Sequence, residues 1–255
     1  MVGHMTDITV VMATYKQAKY LRDSIGSILN NFEKVQGRLC FVPVCGDKRT
    51  SEWMQGSLKP LDPKTKEKLY LVPSLKANIW HQRQLGLNTS KNSYVSFFDS
   101  DDVMLPGWLD RGLKVAEEIS SRGKIPIVGP SYRMVDEKLR PLQDVIMPEF
   151  SMDKMMNGSI IPDFSITRTE NLRIAFEAGC KVARENFAPQ YSCYCTWLEM
   201  LKRFDCEVKL LPDIGFLYRQ HHGGMHNRFK RSKRASRKNV EMVRKIAKHY
   251  FPEGV

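Results

Sequence analysis

Three carboxylates fall within four residues: Asp99, Asp101 and Asp102, with Ser100 between the first two. They follow directly on an apolar stretch at 94–98. Uncompensated, such charges repel one another and raise each other's pKa. A divalent cation removes the conflict, because hard ions such as Mg²⁺ and Mn²⁺ take carboxylate oxygens together with substrate phosphates. The pattern predicts a metal and phosphate site where a buried strand ends.

A second constellation lies far along the chain, at 218–226: Tyr218, Arg219, Gln220, His221, His222, Gly223, Gly224, Met225 and His226. His222 and His226 stand four apart, and both can offer neutral imidazole to a metal. Arg219 can bind phosphate with its planar fork of donors. Gly223 and Gly224 allow the segment to close over a bound ligand.

These groups need elements to position them. The run at 8–12, apolar but for Thr9, reads as a strand buried on both faces. Tyr20, Leu21, Ile25, Ile28 and Leu29 have helical spacing. Further strands are expected at 39–44, 68–72 and 94–98, with a helix at 77–87 before the last. Such alternation predicts a parallel, doubly wound α/β sheet, in which ligands sit beyond the carboxyl ends of the strands. Thr14, Asp47 and the cluster after Phe98 all fall there. The second half is less regular: helices at 105–121 and 192–203, and strands at 125–128, 159–166, 208–211 and 214–218. The chain has no internal repeat and no Gly/Ser linker, which argues for a single domain.

With these motifs in order, the chain resembles the family 2 glycosyltransferases, which share the GT-A fold. The likeness rests on the opening strand with Ala13, Thr14 and Tyr15, on Cys45-Gly46-Asp47, on the Arg83-containing helix leading to Gly86, and on the DxD motif Asp99-Ser100-Asp101. It runs over about residues 6–227, with a nucleotide-sugar half at 6–102 and an acceptor half at 103–227. Residues 228–255 remain as a basic helical tail. The resemblance implies a Rossmann-like, mostly parallel sheet flanked by helices, and transfer of a sugar from a nucleotide-diphosphate donor to a hydroxyl. It implies donor contacts from Ala13, Thr14, Tyr15, Asp47, Arg83, Asp99, Ser100 and Arg219, with Arg83 beside the leaving diphosphate. It implies a Mn²⁺ or Mg²⁺ held by Asp99 and Asp101, for which His222 and His226 are further candidate ligands.

One feature departs from the family pattern. An inverting member carries an acidic residue just before a Trp-bearing helix, as general base for the acceptor hydroxyl. Aligned on Trp197, that acidic pair falls on Ser192 and Cys193. A substitute base has to come from Asp102, Asp163, Glu177 or Glu185, or else the reaction is a retaining one that needs no such base.

Bulk properties bound the partners. The 255 residues carry a net charge of +12, and Arg228, Lys230, Arg231, Lys233, Arg234, Arg237 and Lys238 lie within eleven residues. Such a block fits a polyanion. One reading is a cell-surface or lipid-linked glycan at an anionic membrane. A second is hydroxylated bases in viral DNA, and a third is a non-catalytic sugar-nucleotide or nucleic-acid binding module. No stretch approaches a transmembrane segment, and the start of the chain turns straight into a strand, so a cytoplasmic protein, peripheral at the membrane if anchored there, is expected. Met1 to His4 carry no role. The six cysteines show no metal-ribbon spacing and are expected as free thiols.

Overall fold

The structure, a computed structural model, describes residues 8–32, 39–59, 61, 63–67, 69–74, 76–222 and 233–253. The apolar opening forms β1 (Ile8–Thr14), buried along its whole length. It pairs in parallel with β2 (Leu39–Cys45) on one side and β4 (Tyr94–Asp99) on the other, and β2 pairs in parallel with β3 (Val72–Pro73). The carboxyl ends of β1, β2 and β4 therefore lie side by side. Beyond β4 the sheet becomes mixed. β8 (Ile166–Arg168) is antiparallel to both β4 and β6 (Ile125–Val135), and β9 (Cys206–Arg219) runs parallel to β6. β5 (Val103–Met104) and β7 (Pro141–Val145) pair antiparallel with β9 and β6. The spatial order is β3-β2-β1-β4-β8-β6-β9-β5, with β7 beside β6.

Because successive residues of a strand point to opposite faces, β1 feeds two cores. Ile8, Val10 and Met12 pack with Leu21, Ile25 and Ile28 of α1 (Leu21–Phe32) and with Trp108, Leu109 and Leu113 of α5 (Trp108–Ser121). Val11 packs on the other side with Leu87 of α4 (Ile79–Thr89), Phe176 of α7 (Thr169–Asn186) and Trp197 of α8 (Ser192–Arg203). Among the described residues, α2 (Lys48–Leu58), α3 (Pro63–Lys66) and α6 (Met152–Asn157) are the other α-helices before the last one.

α9 (Lys233–Tyr250) is no free tail. Val243, Ile246, Ala247 and Tyr250 are buried in the same core as α7 and α8. Among the described residues no helix is long and apolar enough to cross a membrane. Cys45, Cys180, Cys193, Cys195 and Cys206 are free thiols.

Several expected strands shift. The third strand, expected at 68–72, is the two-residue β3, preceded by a bridge from Leu69 to Phe41; Lys68 lies outside the described residues. The strand expected at 159–166 is a loop for most of its length. Pro162 cannot donate to a ladder, and its carbonyl instead accepts from the Ser165 amide in a turn. The strands expected at 208–211 and 214–218 are one, β9, whose extra residues around Pro212 are absorbed by register shifts opposite Pro130, Ser131 and Tyr132.

Candidate active site

A cleft of about 800 Å³ opens at the carboxyl ends of β1 and β4. That is within the range of roughly 300–1,000 Å³ typical of ligand sites. Ala13, Thr14 and Tyr15 form one edge, and Asp99, Ser100 and Asp101 form the floor. The Thr14 hydroxyl is buried and has no partner among the described residues. Such a group is costly unless something bonds to it.

The acidic turn is pinned from several sides. Ser24 of α1 donates its hydroxyl to the Ser100 carbonyl at 2.7 Å, and the Asp102 amide closes on the Asp99 carbonyl. The chain then enters β5, whose pairing of Val103 with Leu217 brings the end of β9 alongside. As a result Arg219 and His221 sit against the turn although more than a hundred residues separate them in sequence.

His221 is buried, and its Nε2 lies 2.8 Å from Asp101 Oδ2. Its ring packs on Tyr20 with centroids 4.8 Å apart. The sequence had pointed to His222 and His226 as ligands. His222 is instead exposed and lines a neighbouring hollow of about 290 Å³ with Asp136 and Lys138. His226 lies outside the described residues. The one-residue difference arises because β9 ends at Arg219 and the next inward-facing position is His221.

Arg219 borders the cleft, and each of its three side-chain nitrogens donates one hydrogen bond within the protein. Nε donates to the Asp101 carbonyl, one terminal nitrogen to the Glu137 carbonyl and the other to Asp23. These bonds brace the acidic turn. Asp47 does not line the cleft. It caps α2 by accepting from the Thr50 amide at 2.9 Å and also accepts from the Lys16 amide at 2.8 Å. Burial pushes its carboxyl up, but these amide donors outweigh that and hold it below its ordinary value.

Arg83 was expected beside the leaving diphosphate. The structure places it beneath the floor, 1% exposed. One terminal nitrogen donates to Asp99 Oδ1 at 2.9 Å; the other donates to Asp163 Oδ2 at 3.0 Å and to Cys193 Sγ at 2.7 Å. Phe97 lies under the guanidinium, 4.8 Å from ring centre to carbon. A charge this deep is tolerable only when paired and hydrogen-bonded. Burial still raises the Asp99 carboxyl above its ordinary range; Arg83 opposes this, and Asp101 adds to it.

Asp101 and His221 offer one carboxylate and one imidazole towards the cleft. Among the described residues no three His, Cys, Asp or Glu side chains gather into a complete metal cage. The pair suits a cation that takes its remaining ligands from substrate phosphates and water, as Mg²⁺ and Mn²⁺ sites for phosphates do.

The model of glycosyl transferase family 2 matches residues 9–185, well over half of the chain. The chain belongs to that family. A curated relative, an uncharacterized glycosyltransferase of Methanocaldococcus jannaschii, is 29% identical over 120 residues, 46% of this chain and 40% of its own. The crystal structure of residues 1–349 of S. aureus TarS superimposes with a TM-score of 0.64 at 14% identity, covering 98% of this chain and 66% of that one. The same TarS fragment in complex with UDP-GlcNAc gives 0.65 at 13% identity, covering 98% and 67%. This chain thus spans well under half of the curated relative and about two thirds of the TarS fragment. At such low identity the TarS likeness shows a common GT-A-like fold: a mixed sheet with helices on both faces.

In this family 2 glycosyltransferase the four candidate bases separate cleanly. Asp102 is 1% exposed and absent from the cleft lining; its Oδ1 accepts the Arg219 amide, and its Oδ2 has no partner among the described residues. Burial, then Asp101 and Asp99, push its carboxyl well above the ordinary range. Glu177 and Glu185 are exposed on α7, and neither lines the cleft; Glu177 borders a separate hollow behind α4. Asp163 alone of the four lines the cleft, beside Cys193.

Proposed function

We propose that this family 2 glycosyltransferase binds a nucleotide-diphosphate sugar in the cleft and transfers the sugar to an acceptor hydroxyl. The observation that carries this reading is the Asp101–His221 pair lining a cleft sized for a ligand. Asp101 and His221 would hold a Mn²⁺ or Mg²⁺. When bound, such an ion supplies Lewis acidity that offsets the charge on the departing diphosphate. The chain's own residues do the rest. Arg83 and Arg219 fix the acidic turn, so its carboxylates need not reorganise when the donor arrives. Ala13 and Tyr15 would meet the donor at the cleft edge, with the buried Thr14 hydroxyl between them.

The far wall is made partly by α9: Asn239, Val240 and Val243 face the cleft, and Tyr191 donates its hydroxyl to Asn239 at 3.0 Å. The exposed Lys238, Arg244, Lys245 and Lys248 share this helix. A basic helix forming the acceptor side favours a polyanionic acceptor, and we read it as a glycan at an anionic membrane surface. Each basic residue near such a surface contributes about 1 kcal/mol. Binding to anionic vesicles that exceeds binding to duplex DNA supports this; the reverse order makes nucleic acid the acceptor.

The test of the activity is a thermal-shift panel of nucleotide sugars with and without Mn²⁺, since a ligand of the folded state raises the midpoint by mass action. UDP-GlcNAc is the first member, because the TarS fragment was crystallised with it. The reading predicts a shift that needs both sugar nucleotide and Mn²⁺, accompanied by slow release of nucleoside diphosphate. A shift without turnover under any condition would leave a binding module instead.

A further inference from the structure

We infer that Asp163 is the general base of the transfer, occupying in space the role that Cys193 cannot fill in sequence. This rests on the glycosyltransferase reading above and deepens it. Position 193 is where the family pattern expects a carboxylate, at the start of α8. A thiol is a poor acceptor for a sugar hydroxyl's proton. Burial pushes the Cys193 thiol well above its ordinary value; Arg83 opposes this, and the neighbouring Asp163 adds to it, so the sulfur stays protonated.

Asp163 reaches the same place from a different element, the loop between α6 and β8. One Arg83 nitrogen donates both to Cys193 Sγ at 2.7 Å and to Asp163 Oδ2 at 3.0 Å. The two side chains therefore share a single anchor. The loop is held for the purpose. Ser96 of β4 donates its hydroxyl to the Phe164 carbonyl at 2.8 Å, and the Phe164 ring stacks on Phe216 with centroids 3.9 Å apart. The Asp163 side chain keeps 35% of its surface and lines the cleft with Asp99, Asp101 and Cys193.

The step balances without any further reagent. The acceptor oxygen forms a bond to the anomeric carbon and passes its proton to the Asp163 carboxylate. The bond from that carbon to the donor's diphosphate oxygen breaks, and its electron pair leaves with the nucleoside diphosphate. A single displacement of this kind inverts the anomeric centre.

The test uses the full chain with Mn²⁺ and UDP-, GDP- and dTDP-sugars, water serving as the acceptor. Asp163→Asn should lower nucleoside diphosphate release by a hundredfold or more, the lower end of general-base effects. Its donor-induced midpoint shift should match wild type. The double variant Asp163→Asn with Cys193→Asp returns a carboxylate to the Arg83 anchor and should recover at least tenfold. Glu177→Gln and Glu185→Gln, which lie off the cleft, should leave release unchanged. Release by Asp163→Asn within threefold of wild type, loss of its donor binding, or no recovery in the double variant would each overturn the assignment. A wild-type chain that binds no donor in the panel would instead overturn the glycosyltransferase reading beneath it.

Discussion

His221 Nε2 stands 2.8 Å from Asp101 Oδ2 across 120 residues of sequence, and the pairing of β5 with β9 is what brings them together. His221→Ala should therefore weaken Mn²⁺-dependent donor binding by at least tenfold, or about 1.4 kcal/mol. His222→Ala should not change it, because His222 is exposed and does not line the cleft, whereas His221 does. Isothermal titration with donor at fixed Mn²⁺ reads both. Equal losses in the two variants would mean that neither histidine acts through Asp101.

Asp102 predicts a pH signature. Burial raises its carboxyl well above the ordinary range, and Asp101 and Asp99 add to this. A folded-state value above the unfolded one means that the native state binds the extra proton. The contribution to stability is then present at low pH and lost as pH rises from the ordinary carboxylate range towards the raised value. Asp102→Asn removes the charge, keeps an acceptor for the Arg219 amide and exchanges one unpartnered atom for another. In EDTA at pH 8 the variant should melt about 2–4 °C above wild type, roughly 1 kcal/mol for a chain of this size. The gap should close as pH falls. A variant that melts lower at pH 8 would contradict this.

Gly179 on α7 faces the α8 backbone so closely that an added Cβ would lie 2.6 Å from the Thr196 amide nitrogen. Alanine in place of a mid-helix glycine gains about 1 kcal/mol of propensity. Overpacking against a backbone costs about 1–3 kcal/mol, and backbone cannot step aside as a flexible side chain would. Gly179→Ala should therefore be net destabilising in urea, by about 1 kcal/mol. Because α8 carries Cys193, nucleoside diphosphate release should fall as well.

The first half of the chain was legible because its signals were local. The runs at 8–12 and 94–98 are apolar but for Thr9 and Ser96, and the carboxylates follow the second at once. α7 was not read as a helix, since its buried stripe of Ala175, Gly179, Cys180 and Ala183 is built of small residues that dilute the apolar period. Most of α2 is polar, and only Thr50, Met54 and Leu58 are buried. In the site, the choice of His221 over His222 turned on where β9 ends, which periodicity does not fix to one residue. The sharing of Arg83 by Asp99, Asp163 and Cys193 joins four separate segments and leaves no mark on sequence spacing. Cys193 was visible as a departure, whereas its neighbour Asp163 remained one of four choices until the fold set the two side by side.

Asp101 and His221, as proposed, hold a divalent cation for a nucleoside diphosphate. The measurement closest to this is electron paramagnetic resonance of free Mn²⁺ during titration with the protein, with and without UDP and GDP. Wild type should deplete the free signal strongly only when one of the nucleotides is present. Asp101→Asn should need at least ten times more protein to do so, with its far-ultraviolet circular dichroism unchanged. Depletion by Asp101→Asn equal to that of wild type would contradict the account.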